Sequence, residues 1–324
     1  MVSFGGGSTI DAAKAAMALV TLGGAIDQYF GTGLVTAALQ RQDAALPPHV
    51  AIQTAASSAS HLSKYSNITD VARGQKKLIV DEALTPTRPL FDHSVTYTAP
   101  PALTADGALD GIASCLEVSL GAVGQPHAEA MREIVPVGVG LVLQYLPVAL
   151  ASPHDAVARE ALALATDLGG YAIMLGGTSG PHLNSFSLVN VMSHGRACAL
   201  LGPYYTVFYA PAAEEPLRVL AEAYRRAGLL SASVDRLRGR ALGIAVAQAM
   251  IAFLARVGLP TRLRDVPGVT PALLRRMLDA AKDPQLRMKL ENMPVPLTAD
   301  LVDAYMGPVL EAAYEGDLAR VRNL

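Results

Sequence analysis

The chain has 324 residues, 51% of them hydrophobic, and a formal net charge of −2 at pH 7. This length suffices for a large core and predicts two domains, and the even spread of charge argues against nucleic-acid partners and an acidic tail. Two cysteines, Cys115 and Cys198, cannot form a disulfide framework, and residues 1–5 lack the features of a signal peptide, so we expect a cytoplasmic protein.

The first hundred residues predict strand, turn and helix units. Residues 2–4 are predicted to end a strand, residues 5–8 to form a turn, and residues 9–22 to form a helix. Ser8 and Asp11 form an S-x-x-D pattern, which predicts that their side chains bind free amides of the first helical turn. Further along, residues 50–54 predict a strand, and residues 66–69 and 77–80 predict a hairpin.

Beyond Pro101 the chain is predicted to be helical nearly to its end. Residues 135–152 are long and apolar enough to span a membrane, but we find no second span in the sequence and expect a buried helix and no membrane partner. The sequence thus predicts an α/β domain over residues 1–100 and a helical domain over residues 101–324, with a ligand cleft between them. Helical patterns cover residues 104–120, 127–146, 155–176, 182–190, 195–209, 215–228, 238–257, 270–281 and 298–314.

Two segments of the α/β part could bind phosphate. Gly5, Gly6, Gly7 and Ser8 join a strand to a helix, whose free amides and positive dipole end favour a pyrophosphate. The pattern is neither G-x-G-x-x-G nor a P-loop, and a plain tight turn explains it equally well. The hydroxyl-rich residues 54–61 also follow a strand, but by themselves they are better explained as a polar loop.

Three residues of the helical part suggest a metal site. Asp110 lies on a helix among apolar neighbours, where a carboxylate needs a partner. His182 and His194 each begin a predicted helix, 12 residues apart, so two helix starts could face one another. Taken singly, each residue is better explained by capping or by core packing.

Taken in order along the chain, these segments resemble the iron-containing alcohol dehydrogenase family. The resemblance covers essentially the whole chain, and the ordered set is far more specific than any single motif. It rests on GGGS-x-x-D-x-x-K at Gly5–Lys14, the Thr/Ser-rich residues 54–60, Asn67-Ile68-Thr69-Asp70, Lys77, Pro100-Pro101-x-Leu-Thr-Ala before Asp110, His182, His194-Gly195, and Asn292-Met293-Pro294-Val295-Pro296.

The resemblance implies a dehydroquinate-synthase-like fold, with an incomplete Rossmann-like N-terminal domain and a C-terminal helical domain. It implies a divalent metal, Fe²⁺ or Zn²⁺, together with NAD or NADP and a small alcohol or aldehyde substrate. We also expect a homodimer. By position, Asp110, His182 and His194 match the metal ligands of the catalytic centre. The residues that match cofactor contacts are Gly5, Gly6, Gly7 and Ser8 at the pyrophosphate, Thr54, Ser57 and Ser60 beside the nicotinamide, and Lys77 near its ribose.

Three departures from the family pattern bear on activity. The chain begins at the strand before the glycine turn, so the segments that bind the adenosine half of the cofactor are expected to be missing. Ser114 occupies the position of a fourth ligand, a histidine one helical turn after Asp110. Phe186 occupies the position of a histidine that relays protons in many members.

Two alternatives to an active alcohol dehydrogenase remain open. The first is a catalytically impaired or non-catalytic remnant of the family, which would act as a binding or oligomerising protein. The second is a sister activity on the same fold, such as a polyol dehydrogenase or a phosphonate aldehyde reductase.

Overall fold

The strands lie in the first part of the chain and the long helices in the second. A computed structural model describes residues 1–324, apart from the side chain of Ala232. The strands are β1 Val2–Gly5, β2 Gly31–Thr32, β3 Val50–Gln53, β4 Tyr65–Asp70, β5 Gln75–Val80 and β6 Arg88–Phe91. The helices are α1 Gly7–Leu22, α2 Leu34–Gln42, α3 Pro101–Gly121, α4 Ala128–Ala151, α5 Ala156–Leu175, α6 Gly180–Ser185, α7 His194–Tyr209, α8 Glu214–Arg226, α9 Gly239–Arg256, α10 Pro271–Ala281, α11 Arg287–Glu291 and α12 Val302–Glu315.

The strands form two small sheets. In the first, β1, β3 and β6 are parallel with β3 in the centre, and Val2 pairs with Val50. In the second, β5 lies between β2 and β4, and β4 and β5 form the predicted hairpin, with Ser66 opposite Ile79. The division into two domains at residue 100 stays a prediction, because Tyr65 and Leu78 of the hairpin belong to the same core cluster as the long helices.

Helix α3 is the centre of the helical part. Between Thr104 and Leu120 it is buried except at the half-buried Asp106, because α4, α5 and α7 pack around it. Asp110, Ser114 and Glu117 follow at intervals of four and three residues, so they share one face of the helix. A largely apolar helix thus carries a stripe of polar groups into the core.

Helix α4 contains the apolar segment that we considered as a membrane span. It buries a stripe that includes Met131, Val135 and Val139, as predicted for a core helix. By length and composition α4 could cross a membrane, and so could α9; 44% of each apolar window is buried within the structure. The expectation that the chain has a single such segment is therefore wrong.

The structure also corrects two boundary predictions. Helix α1 begins at Gly7, and the Asp11 carboxylate accepts a hydrogen bond from the Asn67 backbone N–H (2.9 Å) instead of capping the helix. The helix predicted over residues 182–190 ends at Ser185, where turns follow up to α7. Helices α2 and α11 were not predicted from the sequence.

Candidate metal centre and adjoining cavity

A cavity of about 440 Å³ lies where the β4–β5 hairpin meets the long helices. Four of the predicted ligand and cofactor residues line it, namely Ser60, Asp110, His182 and His194. Thr54, Ser57 and Lys77 are not among the described residues that line it. Its lining consists of Ser58, Ser60, Ser63, Tyr65, Asn67, Leu78, Asp110, Ser114, Ile173, Thr178, His182, Phe186, His194 and Lys289.

Asp110, His182 and His194 meet at one end of this cavity. The Asp110 Oδ1 atom lies 3.5 Å from Nε2 of His182 and 3.7 Å from Nε2 of His194. The two imidazole rings are 4.9 Å apart between centroids and nearly perpendicular, at 80°. Since the three residues come from α3, α6 and the first turn of α7, tertiary packing alone brings them together.

Hydrogen bonds at the other ring nitrogens orient both histidines. His182 Nδ1 is 2.6 Å from Oε1 of the buried Glu117 carboxylate. His194 Nδ1 is 2.9 Å from Ser185 Oγ, whose own proton goes to the His182 carbonyl at 2.6 Å. Ser185 must therefore accept a hydrogen bond from His194 Nδ1–H. Both rings then carry their proton on Nδ1, and both Nε2 lone pairs face Asp110.

This arrangement of donors fits a divalent cation. Asp110 is buried, and its Oδ1 atom has no hydrogen-bond partner among the described residues. A carboxylate oxygen and two imidazole lone pairs that converge in a buried site need a cation between them. Two histidines and one carboxylate suit Fe²⁺ or Zn²⁺.

Cys198 is a fourth potential ligand that the sequence analysis missed. It lies one helical turn after His194 on α7, and its Sγ is 3.9 Å from Nδ1 and 4.0 Å from Nε2 of that histidine. Ligand atoms of Asp110, His182, His194 and Cys198 all lie within 4.8 Å of one another. The signal was the spacing His194-x-x-x-Cys198, which places both side chains on one helix face. Burial raises the pKa of the Cys198 thiol.

Two residues at which the chain departs from the family pattern border the same centre. Ser114 lines the cavity one helical turn after Asp110. Phe186 is buried, and its ring centroid is 5.8 Å from that of His194. The cavity wall beside His194 is therefore aromatic and cannot accept or donate a proton.

The glycine turn and the hydroxyl-rich segment lie against each other. A Cβ on Gly7 would lie 2.3 Å from the Ser58 Oγ atom, so a larger residue here would displace the Ser58 hydroxyl. The Thr54 backbone N–H donates to the Gly5 carbonyl at 3.1 Å. The structure thus places Gly5–Ser8 and residues 54–60 on one surface, where the cofactor roles that we assigned to them stay predictions.

Lys14 holds this surface in place, a role that the sequence analysis did not assign. Its buried Nζ donates to the carbonyls of Ser60 and Ser63, both at 2.7 Å, and of Tyr65 at 2.8 Å. Burial lowers the pKa of Lys14 to about 8, although nearby Asp11 opposes this shift.

Lys77 lies in a different environment from the one expected. Its Nζ is 2.9 Å from Asp27 Oδ1 and 3.4 Å from Asp70 Oδ2, and it lies over the Phe30 ring. Neighbouring residues on a strand face opposite sides of the sheet, and Leu78 is the one that lines the cavity. Contact of Lys77 with a nicotinamide ribose stays a prediction.

Comparison with known proteins supports the assignment of the fold. The family profile described as "Iron-containing alcohol dehydrogenase" matches residues 1–93, and that of the C-terminal domain of the Fe-containing alcohol dehydrogenase family matches residues 104–305. An alcohol dehydrogenase structure from Oenococcus oeni superposes with a TM-score of 0.80 at 25% identity, over 97% of this chain and 76% of that one. A sulfoacetaldehyde reductase from Bifidobacterium kashiwanohense, solved in complex with NAD⁺, gives a TM-score of 0.71 at 28% identity, over 95% of this chain and 75% of that one.

Sequence comparison agrees with the structural comparison. The NAD-dependent methanol dehydrogenase of Bacillus methanolicus is 32% identical over 226 residues, which are 68% of this chain and 56% of that protein. The chain thus spans a little over half the length of this relative. The predicted dehydroquinate-synthase-like fold, α/β followed by all-α, is confirmed. From the two profile matches, which together cover most of its length, the chain belongs to the iron-containing alcohol dehydrogenase family.

Proposed function

We propose that the protein is a metal-dependent oxidoreductase that interconverts an alcohol and an aldehyde or ketone with NAD or NADP. The observation that carries this proposal is the buried, unpartnered Oδ1 of Asp110, which faces the Nε2 atoms of His182 and His194 in a cavity beside the hydroxyl-rich segment. The names of relatives support it, since one is an NAD-dependent methanol dehydrogenase and another was solved with NAD⁺.

Asp110, His182 and His194 would hold the metal, Fe²⁺ or Zn²⁺. When bound, such an ion is a Lewis acid that polarises a substrate oxygen. Glu117 and Ser185 keep both Nε2 atoms directed at the centre, so the ligands need not reorient during turnover. The buried Tyr65, Leu78 and Phe186 line the same cavity and limit the access of water to the reacting atoms.

The nucleotide would lie across the glycine turn and the serine segment. The first turn of α1 presents free backbone N–H groups beside Gly5–Ser8, which suits a pyrophosphate. When bound, a nicotinamide would supply or accept the hydride, and the residues that line the cavity would orient the substrate for this transfer. The Oγ atoms of Ser58 and Ser60 are 3.0 Å apart in the cavity wall, and this hydroxyl pair can pass a proton where Phe186 cannot.

The finer assignments belong to the same proposal. The metal is Fe²⁺ or Zn²⁺, and the nucleotide is NAD or NADP. The protein is a cytoplasmic homodimer that has no nucleic-acid or membrane partner. The non-catalytic alternative is kept because Ser114 replaces one ligand of the family pattern.

The test is metal-dependent turnover of the purified chain. We expect protein loaded with Fe²⁺ or Zn²⁺ to oxidise NADH or NADPH when aldehydes are added, and Asp110→Asn to lose turnover in proportion to the metal it fails to bind. Asp92→Asn, a change at an exposed carboxylate, is the matched control. Protein that binds one equivalent of metal without any turnover over a broad panel of aldehydes would establish the non-catalytic alternative.

A further inference from the structure

The candidate metal centre has three ligands of the family pattern, and the hydroxyl of Ser114 stands in place of the fourth. A neutral hydroxyl is a poor ligand for a divalent metal compared with imidazole or thiolate. Cys198 is fully buried and lies on the same helix as His194. Its sulfur lies 3.9 and 4.0 Å from the two ring nitrogens of His194, beside the centre in which Ser114 replaces the third imidazole.

The four donor atoms, which all lie within 4.8 Å of one another, are slightly farther apart than in a tetrahedral site. Bonds of about 2.0–2.3 Å to one metal ion place neighbouring ligand atoms about 3.3–3.8 Å apart. The separations from Asp110 Oδ1 to the two Nε2 atoms are 3.5 and 3.7 Å. The sulfur lies 4.0 Å from the Nε2 atom of His194. Small side-chain movements suffice to bring all four atoms around one ion.

We propose that Cys198 is the fourth metal ligand of this chain and compensates for Ser114. The inference rests on the proposed function, because it concerns the same metal. On binding, the S–H bond of Cys198 breaks, the proton leaves to solvent, and the sulfur electron pair forms the bond to the metal; no electron is transferred. One carboxylate and one thiolate then balance the two positive charges. Because thiolate is a soft ligand, this set favours Zn²⁺ or Co²⁺ over Fe²⁺ more strongly than a carboxylate–imidazole set does.

The competing explanation is that Cys198 is only a small core residue. Its side chain also borders an apolar cavity of about 370 Å³ that includes Leu109, Ile112 and Met250. In that case the sulfur would contribute packing alone, and its removal would leave the spectrum of a bound metal unchanged.

Co²⁺ distinguishes the two explanations, because a thiolate ligand gives an intense charge-transfer absorption in the near ultraviolet that nitrogen and oxygen ligands do not give. We expect the chain to bind one Co²⁺ with this band. Cys198→Ser and Cys198→Ala should lose the band and bind Co²⁺ at least about tenfold more weakly, a change of about 1.4 kcal/mol. Cys115→Ala, which removes the other buried cysteine, should keep the band.

The outcomes separate this inference from the proposed function. Bound Co²⁺ without the band in the unmodified chain, or a band that survives in Cys198→Ser, overturns the ligand assignment while turnover can still support the enzyme. A band without turnover supports the ligand and counts against the enzyme. In the Ser114→His, Cys198→Ser double variant, we expect tight Co²⁺ binding without the band; weak binding there would contradict the proposal that the thiolate compensates for Ser114. Competition between Zn²⁺ and Fe²⁺ under anaerobic conditions should favour Zn²⁺ less in Cys198→Ser than in the unmodified chain.

Lys289 carries a second and independent inference. Its side chain lines the same cavity, is 3% exposed, and donates from Nζ to Thr178 Oγ1. The Nζ atom lies 5.8 Å from the centre of the Tyr65 ring and 5.6 Å from that of Phe186. No carboxylate among the described residues forms an ion pair with it, although the buried Glu117 and Asp110 are near enough to attract its charge. A buried ammonium that contacts one hydroxyl and two aromatic rings gains a direct charged partner when an anion enters the cavity.

We infer that Lys289 binds an acidic group of the substrate, so that the substrate class is an aldehyde or alcohol that also carries an anion. This inference also rests on the proposed function. An anionic group bound at Nζ would hold the other end of a small molecule in the cavity that contains Asp110, His182 and His194. The ammonium would then select substrates by charge, while the metal site acts on the carbonyl or hydroxyl.

The test compares succinic semialdehyde with butanal, which have the same chain length but differ in the acidic group. We expect a higher kcat/KM for succinic semialdehyde, and Lys289→Met should lower the ratio of the two values by at least about tenfold. Lys282→Met, at a solvent-facing lysine paired with Asp303, is the control and should keep the ratio. Turnover of butanal without preference for the acidic substrate overturns the inference but not the proposed function. Succinate binding measured by calorimetry, and its loss in Lys289→Met, provides a readout that needs no turnover.

Discussion

Glu117 shows how a single buried carboxylate can organise the candidate centre. Its Oε1 accepts a hydrogen bond from the His182 ring, and its Oε2 accepts from the Ser179 backbone N–H at 2.7 Å. One side chain thus fixes both the ring tautomer and the loop that leads into α6. Such partners tune metal sites nearly as strongly as the ligands themselves.

We therefore predict that Glu117→Gln weakens metal binding about 10–100-fold. The amide has nearly the same shape as the carboxylate but no charge to hold the Nδ1 proton of His182. The measurement is the Kd of Co²⁺ or Zn²⁺ by competition with a chelator. Glu133→Gln, an exposed change on α4, is the control, and equal Kd values for the two variants would contradict the role given to Glu117.

Lys14 organises the hydroxyl-rich segment, where we place the nucleotide, as Glu117 organises the metal centre. Lys14→Met would leave three carbonyl groups without their donor, and each buried unsatisfied group costs about 1–3 kcal/mol. Losing a desolvated charge offsets part of this cost, and we expect a net loss of about 2–4 kcal/mol in the free energy of unfolding. The serine segment should also hold NADH less tightly.

Urea unfolding followed by circular dichroism measures the first effect for Lys14→Met. The increase in NADH fluorescence on binding measures the second effect. Lys64→Met, which removes a lysine from an exposed ion pair with Glu82, should change neither quantity much. Unchanged NADH binding in Lys14→Met would show that the three hydrogen bonds only stabilise the fold.

At the scale of elements, the centre depends on how closely the start of α7 approaches α3. A Cβ on Gly195 would lie 1.9 Å from the Asp106 carbonyl oxygen and 3.0 Å from Asp110 Cβ. The oxygen belongs to the backbone of a fully packed helix and cannot move aside cheaply. Glycine at this position therefore sets the distance between His194 and Asp110.

Gly195→Ala should push the two helices apart. We predict a loss of about 1–3 kcal/mol in stability and weaker Co²⁺ binding, because His194 moves away from Asp110. Gly140→Ala on α4 is the matched control, since the structure has open space there and alanine favours the helix by up to about 1 kcal/mol. Thermal unfolding with a chelator present measures the loss of stability without any contribution from bound metal. A Co²⁺ titration measures the affinity of the metal centre. If both variants bind Co²⁺ equally well, the spacing argument fails.

Local patterns explain which elements could be predicted from the sequence. The hairpin at residues 65–80 and most of the long helices follow from alternation and helical periodicity, because each buries its own apolar face. Helix α2 is short and has few buried apolar residues, so its pattern is weak. The side of the sheet on which Lys77 lies could not be predicted from the sequence. A shift of one residue in the strand register moves every side chain to the opposite side.

The candidate site illustrates the limit on predicting long-range contacts. Asp110, His182 and His194 were found only through the order of motifs along the chain, because nothing local distinguishes a ligand from a capping or core residue. Helix packing brings Cys198 to the metal centre and Lys289 to the cavity. The spacing to His194 indicates which helix face Cys198 shares, but not that this face meets Asp110 and His182. Whether a thiol binds a metal, or an ammonium binds an anion, depends on which groups the folded chain places beside it.

For the molecule as a whole, the proposed metal ligands come from parts of the chain that lie far apart in sequence. Asp110 belongs to α3, whereas His182 and His194 belong to α6 and α7. An ion held by these residues binds the folded chain and not the unfolded one, so mass action stabilises the fold by about 2.7 kcal/mol at a free concentration of 100 Kd.

We therefore predict that Tm rises by several degrees when Zn²⁺ is added to chelator-treated protein, and that it continues to rise with the logarithm of the free metal concentration. Asp110→Asn should lose most of this shift in Tm, because it removes the negative charge that would bind the ion together with the two histidines. Differential scanning calorimetry measures the shift, and metal analysis of the same samples shows how much ion is bound. If one equivalent of Zn²⁺ binds without raising Tm, the ion is held outside the folded core, and the three residues are not its ligands. A Tm that rises equally in Asp110→Asn leads to the same conclusion, since the stabilising ion would then bind elsewhere.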